Sequence, residues 1–321
     1  MIKQLKIYIS KSLNPYENIA TEKYLLDTIS DDCCTLYLWQ NQNTVVIGKN
    51  QNPWAECKCA LLEQEGVKLA RRLSGGGAVF HDTGNLNFTF ICSTENYDIN
   101  KHMLVIKKAC EIGGIDTEIS GRNDILADGR KFSGNAFYNS RGRSYHHGTI
   151  LISADKERMQ RYLTPSKAKL ETKGVKSVKS RVVNLSELNP TLDCEIMRSN
   201  MIKAFEDVYG IKSTEFCITN NNKISELTDT FKSWDYIYGT KIPFTFSCED
   251  RFEWGGIQLN LQVKNGIIEG VKVYTDAMDF NLADIIEASL TGCKFELSEI
   301  EKALPTEFTK DIIDMLKEQE I

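Results

Sequence analysis

Long apolar runs are missing from this chain of 321 residues, and none approaches the length of a bilayer span. The start, Met1-Ile2-Lys3-Gln4-Leu5-Lys6, has neither an apolar signal core nor a cleavage site and passes directly into strand-like alternation. The expectation is a cytoplasmic protein with no membrane partner. Cys-x-x-Cys spacing is also missing, although ten cysteines are present. A zinc ribbon or a thioredoxin-like site is therefore unsupported. A disulfide framework is not expected in so long a chain without a secretion signal, so the thiols are read as reduced and mostly structural. An excess of basic residues is lacking too: the net charge is -5, which argues against a general nucleic-acid binder. The local exception, Lys167 to Arg181, carries six basic residues against one glutamate and reads either as a solvated loop or as a flap facing phosphate or an acidic partner. Internal repeats and low-complexity tracts are absent. Hydrophobic residues at 41% and charged residues at 26% are ordinary for a globular protein, and the length favours one large domain with a smaller one.

What stands out instead is Arg71-Arg72-Leu73-Ser74-Gly75-Gly76-Gly77-Ala78-Val79-Phe80-His81-Asp82. Three consecutive glycines behind an arginine pair let backbone N–H groups face phosphate oxygens, because no Cβ stands in the way. Two common nucleotide motifs do not fit. The nearby Gly48-Lys49 lacks both the upstream glycine and the hydroxyl of a P-loop, and a dinucleotide fingerprint needs a third glycine where Phe80 stands.

The order of elements reads as an α+β fold. Asn14-Pro15 starts a helix that runs to about Ile29, with Tyr16, Ile19, Ala20, Tyr24 and Leu25 on one face. Leu36 to Trp39 and Thr44 to Ile47, separated by Gln40-Asn41-Gln42-Asn43, read as a hairpin. A single helix is expected from about Trp54 to a cap at Gly66, then a strand from Val67 to Ala70, which places the glycines on a loop after a strand. Leu86 to Phe90 alternates as a strand, Lys101 to Ile112 is helical, and Gly113-Gly114 stops it. Asp128-Gly129, between Ile125-Leu126-Ala127 and Arg130-Lys131-Phe132, is a type I′ hairpin signal that holds Lys131 on a rigid strand. A strand from His147 to Ile152 and helices near Asp155 to Tyr162 and Glu195 to Tyr209 follow. Past Pro243 the texture changes to strands at Gln258 to Val263 and Ile267 to Tyr274 and a helix from Leu282 to Leu290. The expected domains are residues 1–246 and 247–321.

Further blocks follow the glycines in order: Gly84-Asn85, Gly121-Arg122-Asn123-Asp124-Ile125, Lys131-x-Ser133-Gly134-x-Ala136, His146-His147-Gly148-Thr149, Lys176 to Leu185, Trp234-x-Tyr236-x-x-Gly239 and Arg251-Phe252-x-Trp254-Gly255-Gly256. Together they resemble the lipoate-protein ligases, of the same superfamily as biotin-protein ligases and octanoyltransferases. The resemblance spans almost the whole chain. It implies a large mixed-sheet, biotin/lipoate-ligase-like catalytic domain with a small C-terminal α+β accessory domain that closes or rotates when adenylate forms, the Lys167 to Arg181 segment ordering around AMP. It also implies an activity: ATP and Mg²⁺ activate free lipoate to lipoyl-AMP, and the lipoyl group passes to a lysine of lipoyl domains in 2-oxoacid dehydrogenase E2 subunits or the glycine cleavage H protein.

On that pattern Lys131 is the catalytic residue, its ammonium between the acyl oxygen and the adenylate phosphate. Arg72, whose planar fork suits phosphate, binds the nucleotide with Gly77, Ala78, Val79, Phe80, Asn85, Asn123 and Asp124. Ser74, Gly76, His81 and His147 join Lys131 on the lipoate side, and Asp124 is a candidate Mg²⁺ ligand. Val46, Val79, Phe80 and Phe137 are candidates for an apolar slot, and Arg71 is read as structural. His146 and His147 point to opposite faces of a strand and cannot chelate one ion together. An ATP-independent octanoyl or lipoyl transferase would need a thiolate nucleophile, but no cysteine lies between Gly121 and Ile152. A biotin ligase would carry a Gly-Arg-Gly-rich adenylate loop that is missing here, and a silent lipoate-binding protein would be expected to have lost Lys131 or Arg72.

Overall fold

A computed structural model describes residues 1–120, 124–164, 182–219, 221–238 and 245–318, apart from the side chains of Trp54 and Thr306. Asn123, Gly239, Pro243 and the basic segment from Lys167 to Arg181 lie outside the described residues.

The chain opens with strand β1 (Gln4–Ile9) and helix α1 (Pro15–Thr28), where the Asn14 side chain accepts from the Tyr16 N–H and Pro15 takes the first helical position. The helix is the crossover to β2 (Cys33–Trp39), which pairs parallel with β1. A second, three-stranded sheet then forms from β3 (Thr44–Ile47), β4 (Lys68–Arg71) and β5 (Val79–His81), in the order β4-β3-β5. The hairpin expected between Leu36–Trp39 and Thr44–Ile47 is therefore not formed. The intervening polar linker turns inward instead of out: Asn41 is wholly buried, and the Asn18 amide donates to the Gln40 carbonyl and to Asn41 Oδ1 at 2.8 and 2.9 Å, which pins the chain to α1 and carries it to the other sheet. The single helix expected from Trp54 to Gly66 is also corrected. It is split into α2 (Pro53–Glu56) and α3 (Cys59–Gln64), because Cys57 forms a bridge with Leu163 and the Lys58 N–H donates to the Tyr162 carbonyl. Gly66 does cap the second piece, with φ of 64°.

The large sheet is completed by β6 (Asn85–Ser93), β7 (Glu118–Ser120), β8 (Asp124–Ala127), β9 (Arg130–Ser140), β10 (Arg143–Leu151) and the short β11 (Ser213–Glu215), in the order β11-β1-β2-β6-β10-β9-β8-β7. Helix α4 (Ile99–Ile112), capped by the Asp98 side chain, covers one face, as does α6 (Cys194–Tyr209); α5 (Lys156–Tyr162) lies between them in sequence. Strand β6 is buried along its whole length but differs on its two faces. Leu86, Phe88, Phe90 and Cys92 join Ile106, Ala109, Met201 and Phe205 of the covering helices in the main core. Each of the buried Leu, Ile, Phe and Met side chains contributes about 1.5–3 kcal/mol. Asn85, Asn87 and Thr89 alternate with them and so face the other side, toward α1, still buried.

Between β8 and β9 the turn residues Asp128 and Gly129 have φ of 51° and 67°, as a type I′ hairpin requires. Helices α7 (Asn222–Lys232) and α8 (Trp234–Tyr238) lead to the C-terminal part. There β12 (Phe246–Phe252), β13 (Gly255–Lys264) and β14 (Ile267–Thr275) form an antiparallel meander, with α9 (Leu282–Leu290), α10 (Leu297–Ala303) and α11 (Thr306–Lys317) on it. This part has its own core, built on Leu259, Leu261, Val273, Ile286 and Ile312. Among the described residues no helix is long and apolar enough to cross a membrane.

Candidate active site

Lys131 leaves β9 just after the tight turn and pairs with Asp124 of β8, Nζ to Oδ1 at 2.6 Å, the two strands being neighbours with a bulge between Ile125 and Leu126. A methyl group added at Gly134 would meet Lys131 Nζ at 3.0 Å and Thr149 Oγ1 at 4.0 Å, so the ammonium lies on the same side of the sheet as Thr149. His147 is two residues from Thr149 on β10 and shares that side. The opposing β10 backbone must come close here. A methyl at Gly148 would sit 2.6 Å from the Gly134 carbonyl oxygen and 2.7 Å from Phe88 Cζ, which leaves glycine as the residue that fits.

Over this face lies the loop between β4 and β5. Arg72 is buried and donates through Nη2 to the carbonyls of Gly75 and Gly77 at 2.7 and 2.8 Å, through Nη1 to Val46 at 3.2 Å, and through Nε to Ser74 Oγ at 3.0 Å. Burial pushes its pKa down to about 10, which still leaves it charged at neutral pH. Ser74 then contacts His147 Nε2 at 2.7 Å, and His147 Nδ1 contacts Glu22 Oε1 at 2.8 Å. Arginine only donates and carboxylate only accepts, so Arg72 donates to Ser74 and His147 Nδ1–H donates to Glu22, while the sense of the Ser74–Nε2 bond follows the state of the ring. Glu22 also accepts from Thr89 Oγ1 at 2.7 Å, and Thr89 from Trp39 Nε1 at 3.0 Å. The second Glu22 oxygen is buried with no partner.

Arg71 behaves as the sequence suggested. Its Nη1 donates to the carbonyls of Gly48, Lys49 and Gln51 at 3.1, 2.8 and 2.8 Å, and its Nε to Tyr236 and Ile237 at 3.1 and 2.8 Å. It ties the loop after β3 to α8 and is spent.

His81 ends β5 with its ring buried. Asn41 Oδ1 accepts from Asn18, so the Asn41 amide nitrogen faces His81 Nδ1 at 3.2 Å and donates to it. The proton of the neutral ring is then on Nε2, where it has no partner. Burial, with the charge of Arg72 and the His147 ring nearby, pushes this histidine's pKa down to about 3. Asn85 donates to Asn87 Oδ1 at 3.0 Å and keeps its own Oδ1 unpartnered in the interior. Unspent buried donors and acceptors of this kind are what a polar ligand can use.

The structure brings Ser74, Gly76, His81, Asn85, Asp124, Lys131 and His147 to one side of the large sheet. It does not bring the four apolar candidates into one slot. Phe80 packs away from the loop in the core around Tyr162, with ring centroids 5.4 Å apart, while Val46 and Val79 pack with Ile19 and Phe231. Phe137 stands beside His146 at 5.1 Å. Neighbours on a strand point to opposite faces, which separates Val79 from Phe80 and likewise His147 from His146. The Gly76 N–H, expected to face a ligand, donates to the Ala277 carbonyl of the C-terminal part at 3.0 Å. A methyl at Gly75 would stand 2.4 Å from that same carbonyl oxygen. The Asn50 amide donates to the Phe280 carbonyl at 2.9 Å and Lys49 pairs with Asp284 at 2.6 Å, so the C-terminal part is seated on the loop.

Glu22, Asn41, Asn87 and Thr89 were not singled out from sequence. A signal existed for Glu22, which with Asn18 interrupts the buried stripe of α1 at i and i+4, and for Asn87 and Thr89, the polar positions of an alternating strand.

Comparison with known proteins adds the family. Residues 14–206 match the lipoyl protein ligase A/B catalytic domain, and residues 241–321 match the bacterial lipoate protein ligase C-terminus. A lipoate-protein ligase A of Psychrobacter cryohalolentis is 39% identical over 309 residues, covering 92% of this chain and 91% of that protein. One of Bdellovibrio bacteriovorus is 38% identical over 312 residues, covering 94% and 92%. Among solved structures, P. falciparum LipL1 in complex with lipoate is 30% identical and superposes with a TM-score of 0.85 over 97% of this chain and 99% of that one. With both parts of the chain matched in order and a glycine loop, a hairpin lysine and a buried polar chain gathered on one sheet face, the chain belongs to the lipoate-protein ligase family.

Proposed function

We propose that this enzyme couples ATP to lipoylation in two half-reactions on one face of the large sheet. A free carboxylate is a poor acyl donor because its oxygen does not leave. In the first half-reaction lipoate attacks the α-phosphorus of ATP, releasing pyrophosphate and forming lipoyl-AMP. In the second, the acceptor lysine attacks the acyl carbon and AMP leaves. The observation that carries this reading is the placing of Lys131 on the same face as a loop braced by a buried arginine. Both steps build negative charge, and fixed cations and N–H donors in a water-poor site stabilise it.

In this reading Lys131 exchanges its pairing with Asp124 for the acyl oxygen and the phosphate. Arg72 holds the carbonyls of Gly75 and Gly77 turned toward itself, and with the Gly76 N–H held by Ala277 the backbone of Gly77, Ala78, Val79 and Phe80 serves the nucleotide. Asn85 and Asn123 complete the nucleotide side. Ser74, Gly76, His81 and His147 serve the lipoate side, the unpaired His81 Nε2–H being a ready donor. Asp124 fits Mg²⁺, since that ion takes one or two carboxylates and draws its other ligands from phosphates and water. Mg²⁺ would neutralise charge on the phosphates. Residues 1–246 form the catalytic domain and 247–321 the accessory domain. The acceptors are lipoyl domains of 2-oxoacid dehydrogenase E2 subunits and the glycine cleavage H protein.

Mass spectrometry of an apo lipoyl domain incubated with the enzyme, lipoate and Mg²⁺ tests the proposal. A lipoyl mass gain only with ATP, accompanied by AMP, is expected. Transfer from an octanoyl carrier protein without ATP, and none from free lipoate, would establish an acyltransferase instead.

A further inference from the structure

A second cluster of reactive side chains lies behind the sheet, on the face covered by α4 and α6. Strands β2 and β6 run antiparallel with Thr35 opposite Ile91, so one step further Cys34 stands opposite Cys92, and both enter the main core. His102, from the first turn of α4, meets them there. The two sulfur atoms and one ring nitrogen all lie within 4.8 Å of one another, and no other such group of three is found among the described residues. All three residues are 0% exposed.

Packing alone does not explain this cluster. The His102 ring stacks on Phe90 with centroids 4.6 Å apart and planes at 7°, and Tyr97 meets it edge-on at 5.3 Å, so its plane is fixed. Yet neither His102 nitrogen has a hydrogen-bond partner, and the Tyr97 hydroxyl has none either. Each unmet buried group costs about 1–3 kcal/mol, which an apolar side chain of the same shape would avoid. Atoms bound to one tetrahedral zinc ion at about 2.0–2.3 Å stand about 3.5–3.8 Å apart, so the observed cluster needs at most about 1 Å of closure.

We propose that Cys34, Cys92 and His102 form a closed, structural zinc site. Two thiolates and an imidazole are soft donors that select zinc over magnesium or calcium. As the ion enters, both thiols release their protons to solvent, and one Zn²⁺ with two thiolates carries no net charge, which suits an apolar core. The Tyr209 hydroxyl, 3.9 Å from Cys34 Sγ, stands beside the cluster, and as a neutral phenol it would close the fourth position without adding charge. The donors come from two strands and a helix far apart in sequence, which is why no ribbon spacing announces them. Zinc would fasten α4 to the sheet, remote from the ligase face.

The test is metal content. Full-length protein, purified under reducing conditions without chelator and desalted, is expected to hold about one zinc per chain, falling at least about tenfold in Cys92→Ser and His102→Gln and unchanged in Cys217→Ser, whose thiol is exposed. Zinc content indifferent to the first two substitutions would overturn the site. Should those variants fail to fold, cobalt added to metal-stripped unmutated protein decides. A tetrahedral spectrum with a thiolate charge-transfer band supports the site and its absence refutes it. A Cys34–Cys92 disulfide found by peptide mapping of freshly purified protein would also overturn it.

Discussion

Lys131 is a single charge whose partner depends on what else is present. In the structure its ammonium is matched by Asp124 at 2.6 Å. Lys131→Ala is expected to slow adenylate formation by about 10² or more, the usual loss for one preorganised charge-stabilising group. Lys131→Arg should not restore it, because a guanidinium is broader and aims its donors differently. Lipoate-dependent pyrophosphate release at the unmutated rate in either variant would refute the role. His81 carries a second prediction. Its folded pKa of about 3 lies below the ordinary 6.5, so between those values the unfolded chain binds the extra proton. Its contribution is therefore fully present above pH 6.5 and is lost as pH falls toward 3, by up to about 1.4 kcal/mol per unit. Urea unfolding from pH 7 to pH 4 should show a steeper loss for the unmutated protein than for His81→Gln; parallel curves would count against a buried neutral imidazole.

The elements decide which residues meet. Gly75→Ala should disturb the loop, because the new methyl falls 2.4 and 2.8 Å from the carbonyl oxygens of Ala277 and Met278 and neither belongs to a flexible side chain. Weakened nucleotide binding with near-normal thermal stability of the large sheet is expected, measured by calorimetric titration and melting. Much at this scale could be read from sequence. The Asp128-Gly129 turn fixed the hairpin that carries Lys131, because both residues tolerate positive φ, and Asn14-Pro15 fixed the start of α1. Two elements misled. Gln40 to Asn43 is polar enough for an exposed turn, but Asn41 is buried and its amide is used internally, and no local signal distinguishes the two. The break at Cys57 comes from pairing with Leu163, a partner more than a hundred residues away. For the same reason Glu22, Asn87 and Thr89 escaped notice: their part in the site exists only once β6, β10 and α1 lie together.

For the molecule as a whole, the two cores predict how it comes apart. The main core around Phe88 and the C-terminal core around Leu259 share no residues. Leu259→Ala is expected to lower the stability of the C-terminal part by about 2–5 kcal/mol and leave the large sheet standing. Calorimetry should resolve two transitions, of which this substitution moves one; a single transition that moves as a unit would show that the cores melt together. The bond from Gly76 to Ala277 ties these parts across the chain. During synthesis from the N-terminus, the roughly 200 residues between them take on the order of 10–40 s to add. The glycine loop thus waits on the ribosome without the carbonyl that will hold it, and a nascent chain carrying every loop residue is still an unfinished enzyme.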